Sequence, residues 1–279
     1  MTAVLLALTA SLTWGFGDFG AGIASRRLPV PLVIAATQVA GLTFVAILVA
    51  IVRPDLPSAA QLGYGAIGGA LGLCGLVAFY RGLAIGAMGI VGPLAATGAV
   101  VPLAYGLARG ERPSTVQLLG VALAIVGVIA AAVERHPTQV RGRIGAGVGL
   151  ALFAAACFGT TLTFLSKASA GGALWATLSM RAVTVPLIVT AVLILRVPGA
   201  GLRASLWLLI GVGITDTGAT VLFGFATTRG LLSVVSVLAS LYPVVLVALA
   251  RFLIHERIAR HQLAGVAIAL AGVALISAG

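Results

Sequence analysis

The chain has 279 residues, of which 61% are hydrophobic and only 8% are charged, and its mean hydropathy is +1.19. A soluble domain of this size does not need so much apolar surface, and the apolar runs are continuous rather than alternating, which excludes a β-barrel. The net charge of +11 would suggest a nucleic-acid partner in a soluble protein, but here the arginines lie at the ends of apolar runs, so no such partner is expected.

Charges, prolines and glycines divide the chain into ten apolar segments of about 20 residues, each long enough to cross a bilayer as a helix. The predicted fold is therefore all-α, a polytopic membrane protein with ten transmembrane helices. In chain order the predicted segments are 3–23, 31–52, 60–80, 87–107, 115–133, 146–166, 173–195, 204–227, 231–252 and 261–278.

An internal repeat divides the chain into two halves. Residues 111–128 recur at 256–273, with ten of the eighteen positions identical, which indicates a duplication. The predicted organisation is a first five-segment repeat over 1–136, a linker over 137–145 and a second repeat over 146–279. Because five is an odd number, the second copy would lie upside down in the bilayer relative to the first.

Basic residues favour one set of loops. Eleven lie in loops after odd-numbered segments and five in loops after even-numbered ones, so the odd loops are predicted to be cytoplasmic and both termini extracytoplasmic. The loops that are rich in basic residues are not the equivalent loops of the two halves. Arg26 and Arg27 follow the first segment, whereas only Lys167 follows its counterpart, the sixth. This difference favours an inverted repeat, an architecture typical of secondary transporters.

Glycine and proline predict where membrane helices are interrupted. Gly92, Pro93 and Gly98 should break or kink the fourth segment, and residues 236–243 should do so more mildly in its counterpart. Interruptions in corresponding segments of two repeats point to a central cavity.

Residues typical of enzymes and metal sites are poorly placed for chemistry. Cys74 and Cys157 fall inside apolar segments, where they are expected to pack as small side chains. The histidines, His136, His255 and His261, lie in loops or at segment ends, and no catalytic or metal-binding motif accompanies them. The chain is therefore predicted to be no enzyme and to bind no metal or cofactor.

Three charged residues lie within predicted membrane segments, where insertion of a charge costs about 2.5–3.5 kcal/mol at the bilayer centre. Asp216 is thirteen residues from Arg203 and thirteen from Arg229, which places it near the midplane. Arg181 has the same depth on the preceding antiparallel segment, so contact with Asp216 is expected to be feasible. Asp18 lies roughly 12 Å from the end of the first segment.

Two interpretations of these charges stay open. Arg181 and Asp216 could form a permanent buried ion pair, which is weak evidence for stability. Alternatively, the planar guanidinium of Arg181 binds a substrate carboxylate, and Asp216 is its resting partner or a proton carrier. Asp18 could be a second proton site, an amine-binding group, or a helix cap.

Several uncharged side chains are softer candidates for substrate contact. A substrate could stack on Trp14, Tyr80 or Tyr242 and could form a hydrogen bond with Gln38. Simple packing is the alternative for each of the four. Glu111 and Glu256 are predicted to pair with adjacent arginines or to cap the helices that follow them.

The halves share two short motifs. An aromatic-glycine pair lies near the start of each (Trp14-Gly15 and Phe158-Gly159), and Gly-Glu-Arg at 110–112 or His-Glu-Arg at 255–257 precedes each last segment. With two five-segment copies, the chain resembles the EamA-type drug/metabolite transporters over nearly its whole length. This resemblance implies ten helices around a central cavity and the export or exchange of small metabolites, amino acids among them.

The predicted function is a secondary transporter of a small polar metabolite, working by alternating access around a midplane cavity. Coupling to protons through Asp216 or Asp18 stays open, as do an uncoupled facilitator or channel-like permease and, as a more distant alternative, a membrane-embedded enzyme. The expected location is the bacterial inner (plasma) membrane, with lipid and a small-molecule substrate as the partners.

Overall fold

The computed structural model describes residues 1–25, 27–85, 95, 97–132, 144–253 and 260–278. Within these residues the regular structure is helical throughout, with no strand. The described helices, with a 3-10 turn at Thr97–Ala99, are α1 (Thr2–Ser25), α2 (Val30–Val52), α3 (Ala59–Ile85), α4 (Val100–Ala108), α5 (Thr115–Ala132), α6 (Ile144–Ser169), α7 (Ala173–Ile194), α8 (Leu202–Thr227), α9 (Leu232–Ala239), α10 (Tyr242–Leu253) and α11 (Arg260–Ala278).

Six of these helices, α1, α2, α3, α6, α7 and α8, are long and apolar enough to cross a membrane. Shorter apolar helices accompany them, at Thr97–Ala108, Thr115–Gly127 and Ala264–Ile276. Large apolar side chains face outward, among them Trp207 and Phe252, as expected where the surrounding medium is hydrocarbon. The predicted all-α polytopic membrane protein is confirmed, and the number of ten transmembrane helices stays a prediction.

The ninth predicted segment, 231–252, is not one continuous helix. α9 ends at Ala239 and α10 begins at Tyr242, with Ser240 and Leu241 in a turn between them. The break lies inside the 236–243 interval where the sequence predicted an interruption. In the fourth segment, the predicted interruption at 92–98 falls largely outside the described residues, although Gly98 lies in the 3-10 turn.

α5 and α11 pack backbone to backbone through glycines. A β-carbon added at Gly272 would lie 2.5 Å from the Ala124 nitrogen and 2.6 Å from the Gly120 oxygen, and one added at Gly127 would lie 2.7 Å from the Gly265 oxygen. Because Gly120 faces Gly272 and Gly127 faces Gly265, the two helices run antiparallel. Such close approach requires small residues at the contact, the usual route to helix association in lipid.

Two further glycine contacts correspond to each other between the halves. A β-carbon added at Gly15 of α1 would lie 2.5 Å from Val245 Cβ, and one added at Gly159 of α6 would lie 2.6 Å from Val101 Cβ. The differences 159 − 15 and 245 − 101 both equal 144. Each half therefore brings its aromatic-glycine motif against a helix of the fourth or ninth predicted segment.

Glu111, in the connection between α4 and α5, caps a helix of the other half. Its Oε1 accepts a hydrogen bond from the Leu232 N–H at 2.8 Å, and its Oε2 accepts one from the Ser233 N–H at 2.9 Å. These N–H groups begin α9 and have no partner within the helix, and a negative charge there is favourable. Glu111 was predicted to pair with an adjacent arginine or to cap the following helix, but both of its carboxylate oxygens bind α9 instead, and Glu256 lies outside the described residues.

The α5–α11 contact predicts that added side chains will separate the helices. Gly127→Ala and Gly272→Ala should each lower the free energy of unfolding by about 1–3 kcal/mol, because backbone atoms of the partner helix occupy the space of the new methyl group. The measurement is the melting temperature of the purified protein in detergent. Gly211→Ala on α8 is the matched control, because its β-carbon would meet nothing within 4 Å. Unchanged melting temperatures for both interface variants would contradict the contact.

The cap on α9 predicts that Glu111→Gln will destabilise the protein. The amide retains one acceptor oxygen but loses the charge and the second accepted bond, which should cost about 1–3 kcal/mol. Thermal unfolding in detergent measures this loss. Asp55→Asn, which neutralises an exposed acid in a loop, is the control and should melt like the wild type. Equal melting of Glu111→Gln and Asp55→Asn would show that the cap contributes nothing.

Candidate functional site

A cavity of about 200 Å³ lies among α1, α2, α3, α6, α7 and α8 and reaches the junction of α9 and α10. One water needs roughly 10–15 Å³ by the same measure, so a small organic molecule can be accommodated. Gly98 and Ser240, at the two interrupted segments, both line it. Much of the remaining wall is apolar, with Leu73, Leu76, Phe158, Leu162, Leu165 and Met180.

Arg181 is the centre of a polar network at one side of the cavity. Its Nη2 donates to Asp216 Oδ2 at 2.6 Å, and its Nη1 donates to Gln38 Oε1. The Arg181 side chain is 7% exposed, whereas that of Asp216 is 34% exposed. Three helices, α2, α7 and α8, therefore meet in one charged cluster, and the Asp216 carboxylate is more exposed than the guanidinium that it binds.

Asp18 is a second carboxylate in the cavity wall, on α1. It interacts electrostatically with Asp216 and with Tyr242, which also line the cavity. No described side chain donates a hydrogen bond to the Asp18 carboxylate. Trp14 lies one helical turn before Asp18 and packs against Phe223, with ring centroids 5.9 Å apart.

The structure brings together six of the seven residues that the sequence singled out. Lining the cavity are Trp14, Asp18, Gln38, Arg181, Asp216 and Tyr242. Tyr80 belongs to α3, but its side chain falls outside the described residues.

Four hydroxyl side chains in the cavity wall were not identified from the sequence: Thr161, Thr184, Thr220 and Ser240. Each donates to a backbone carbonyl, as Thr220 does to Asp216 at 2.9 Å and Thr161 does to Gly68 at 3.1 Å. Their oxygens still offer acceptor lone pairs to a ligand. Helical spacing could have indicated two of them, because Thr184 and Thr220 lie one turn after Arg181 and Asp216.

Metal-ligating side chains do not gather in the described parts of the chain. No group of three or more His, Cys, Asp or Glu residues there could hold a metal ion. Of the two cysteines, Cys74 is exposed and Cys157 is buried, and both are free thiols. The described side chains that line the cavity offer ion pairing, hydrogen bonding and aromatic contact.

Comparison with known proteins identifies the family. The model of the EamA-like transporter family matches residues 1–133 and 145–278, whereas no curated protein matches the chain. A solved protein crystal structure superposes with a TM-score of 0.80 at 18% identity, covering 98% of this chain and 95% of that one, a likeness that shows the fold alone. Because the family model covers nearly every residue, the chain belongs to the EamA-like transporter family, within the drug/metabolite transporter superfamily.

Proposed function

We propose that this protein is a secondary transporter that exports or exchanges a small polar metabolite, such as an amino acid, across the bacterial inner membrane by alternating access. The observation that carries the proposal is a cavity with ionisable side chains, enclosed by helices long and apolar enough to cross a membrane. Ionisable groups within membrane helices are costly, and they mark substrate or ion pathways. Membership of a transporter family supports the same function.

The proposed architecture is two inverted five-helix repeats, over 1–136 and 146–279, joined by the linker 137–145. The antiparallel contact of α5 with α11 supports inversion. In the repeat, Gly120 corresponds to Gly265 and Gly127 corresponds to Gly272. In the structure, Gly120 contacts Gly272 and Gly127 contacts Gly265, which is the exchange that a two-fold axis produces. When two equivalent membrane helices run antiparallel, the two-fold axis that relates them lies in the membrane plane.

Further matched contacts support the same axis. A β-carbon added at Gly20 would lie 2.7 Å from Val212 Cγ2, and one added at Gly68 would lie 3.3 Å from Phe164 Cβ. The differences 164 − 20 and 212 − 68 both equal 144, the spacing found for Gly15 and Gly159. Helices of the two halves therefore meet in equivalent pairs, so the halves could exchange conformations and open the cavity to either side in turn.

The charged network is not duplicated between the repeats. At the spacing of 144, the counterparts of Arg181 and Asp216 are Thr37 and Gly72. We assign the symmetric helices to the conformational change and the asymmetric charges to substrate binding. Asp216 is the resting partner of Arg181 in this scheme. Transport could be coupled to protons through either cavity carboxylate, Asp216 or Asp18.

The transport proposal predicts saturable counterflow in proteoliposomes. A panel of amino acids and other small metabolites is tested with and without a pH gradient. Asp216→Asn and Arg181→Ala should each lower the rate at least about tenfold, because each breaks the cluster at the cavity wall and leaves a membrane charge unpaired. Asp55→Asn and Arg53→Ala, which neutralise exposed loop charges, are the matched controls.

Two results would contradict this scheme. Linear, unsaturable flux without counterflow would indicate a channel rather than a carrier. Normal transport by both Asp216→Asn and Arg181→Ala would remove the charged cluster from the pathway. Size-exclusion chromatography of each variant separates a loss of transport from a loss of folding.

The proposed orientation predicts which positions an impermeant thiol reagent labels in intact cells. In a background of Cys74→Ala and Cys157→Ala, single cysteines from Thr2→Cys and Ala170→Cys should react, because both positions lie on the extracytoplasmic side in this scheme. Ala200→Cys, in the exposed connection between α7 and α8, should react only after the cells are permeabilised. Protection of Thr2→Cys together with labelling of Ala200→Cys would reverse the orientation.

A further inference from the structure

The charges around the cavity do not balance. Among the described residues, two carboxylates, Asp18 and Asp216, and one guanidinium, Arg181, line it, so their formal charges sum to −1. A net charge in a wall surrounded by apolar helices is unfavourable, because little water is present to solvate it. A positive ligand would neutralise this wall, whereas a negative one would add to the imbalance.

Arg181 is already held by partners from the protein. Asp216 and Gln38 accept hydrogen bonds from its two terminal nitrogens. Its Nε is buried and finds no acceptor among the described residues, so a ligand reaches it only after the side chain moves. A substrate carboxylate would therefore approach Arg181 beside Asp216, which has the same charge and is the more exposed of the two, and charge repulsion opposes that approach.

Asp18 has no opposite charge beside it in the part of the chain that the structure describes. The carboxylate with which it interacts is Asp216, which has the same sign, and the aromatic side chain with which it interacts is Tyr242. Trp14 lies on the same face of α1, one turn away, and also lines the cavity. An ammonium group is attracted both to a carboxylate and to the faces of such rings.

We infer that the transported substrate carries a cationic amine, which binds the Asp18 carboxylate beside Trp14 and Tyr242. The apolar part of the substrate then lies against apolar side chains that also line the cavity, such as Leu162, Phe158 and Met180. The amine is the required group, and a carboxylate is not. This inference rests on the proposed transport function.

The chain uses the same chemistry for one of its own cations. The Lys167 ammonium lies 5.1 Å from the ring centroid of Tyr64 and 5.0 Å from that of Tyr105. Both distances are within the roughly 6 Å at which cation–π attraction operates. Aromatic contact therefore accommodates an ammonium group at the end of α6, in the same helical framework that forms the cavity.

The decisive experiment compares two probes that share a phenyl body and differ in charge, 2-phenylethylamine and 3-phenylpropionate. Binding to the purified protein is measured by calorimetry. The amine should bind at least about tenfold more tightly than the acid. Absence of amine binding, or equal binding of the acid, overturns the inference.

Variants of Asp18 then identify the binding group. Asp18→Asn should weaken amine binding at least about tenfold, because it removes the charge with little change of shape, and Asp18→Glu should largely restore it. Asp55→Asn is the matched control and should bind like the wild type. Unchanged amine binding by Asp18→Asn overturns the assignment, and if that variant does not fold, the comparison of the two probes on the wild type decides alone.

Counterflow of the same probes separates this inference from the transport proposal. Amine binding without saturable flux contradicts the proposed transporter and leaves the amine site in place. The opposite outcome is saturable flux of 3-phenylpropionate that is the same in Asp18→Asn and in the wild type. It contradicts the amine site and leaves the transporter in place.

Discussion

Hydrocarbon solvates neither a charge nor an unpaired peptide group, and this constraint governs where the charged residues of the chain can lie. The described acidic residues illustrate the permitted solutions. Asp55 lies in an exposed loop, Glu111 binds the free N–H groups of a helix end, and Asp216 pairs with Arg181. Asp18 faces the cavity, so it has room for a partner that is not part of the chain.

The same constraint determines how the helices hold together. Apolar side chains gain little by leaving lipid for one another, so association depends on close packing of the backbone and on polar contacts. The glycines of α5 and α11 provide the close packing, and Gly106 leaves space for the Glu111 carboxylate beside α9. Polar contacts join α2, α7 and α8 at Arg181. Packing and polar contact thus act together at Gly106, which lies beside the carboxylate that caps α9.

Local reasoning from the sequence was sufficient for the fold class and for the three charged residues of the cavity wall. Arg181 and Asp216 could be placed because each stands alone in an apolar helix, and depth follows from counting residues to the helix ends. Glu111 could not, because its partners lie more than 120 positions away and nothing near it in the sequence indicates them. Thr184 and Thr220 were missed because threonine is common in membrane helices, where it returns its hydrogen bond to the preceding turn.

The glycine contact of α5 with α11 has a consequence for the origin of the molecule. The same glycines occur at equivalent positions of both helices, so the two helices meet through equivalent surfaces. A self-complementary surface does not require its two sides to be in one polypeptide. If the proposed inverted repeats are correct, a separate five-helix chain carrying this surface would pair with a second copy inserted the opposite way up. Gene fusion would then add a connection to an assembly that already existed, and would free each half to acquire its own charges.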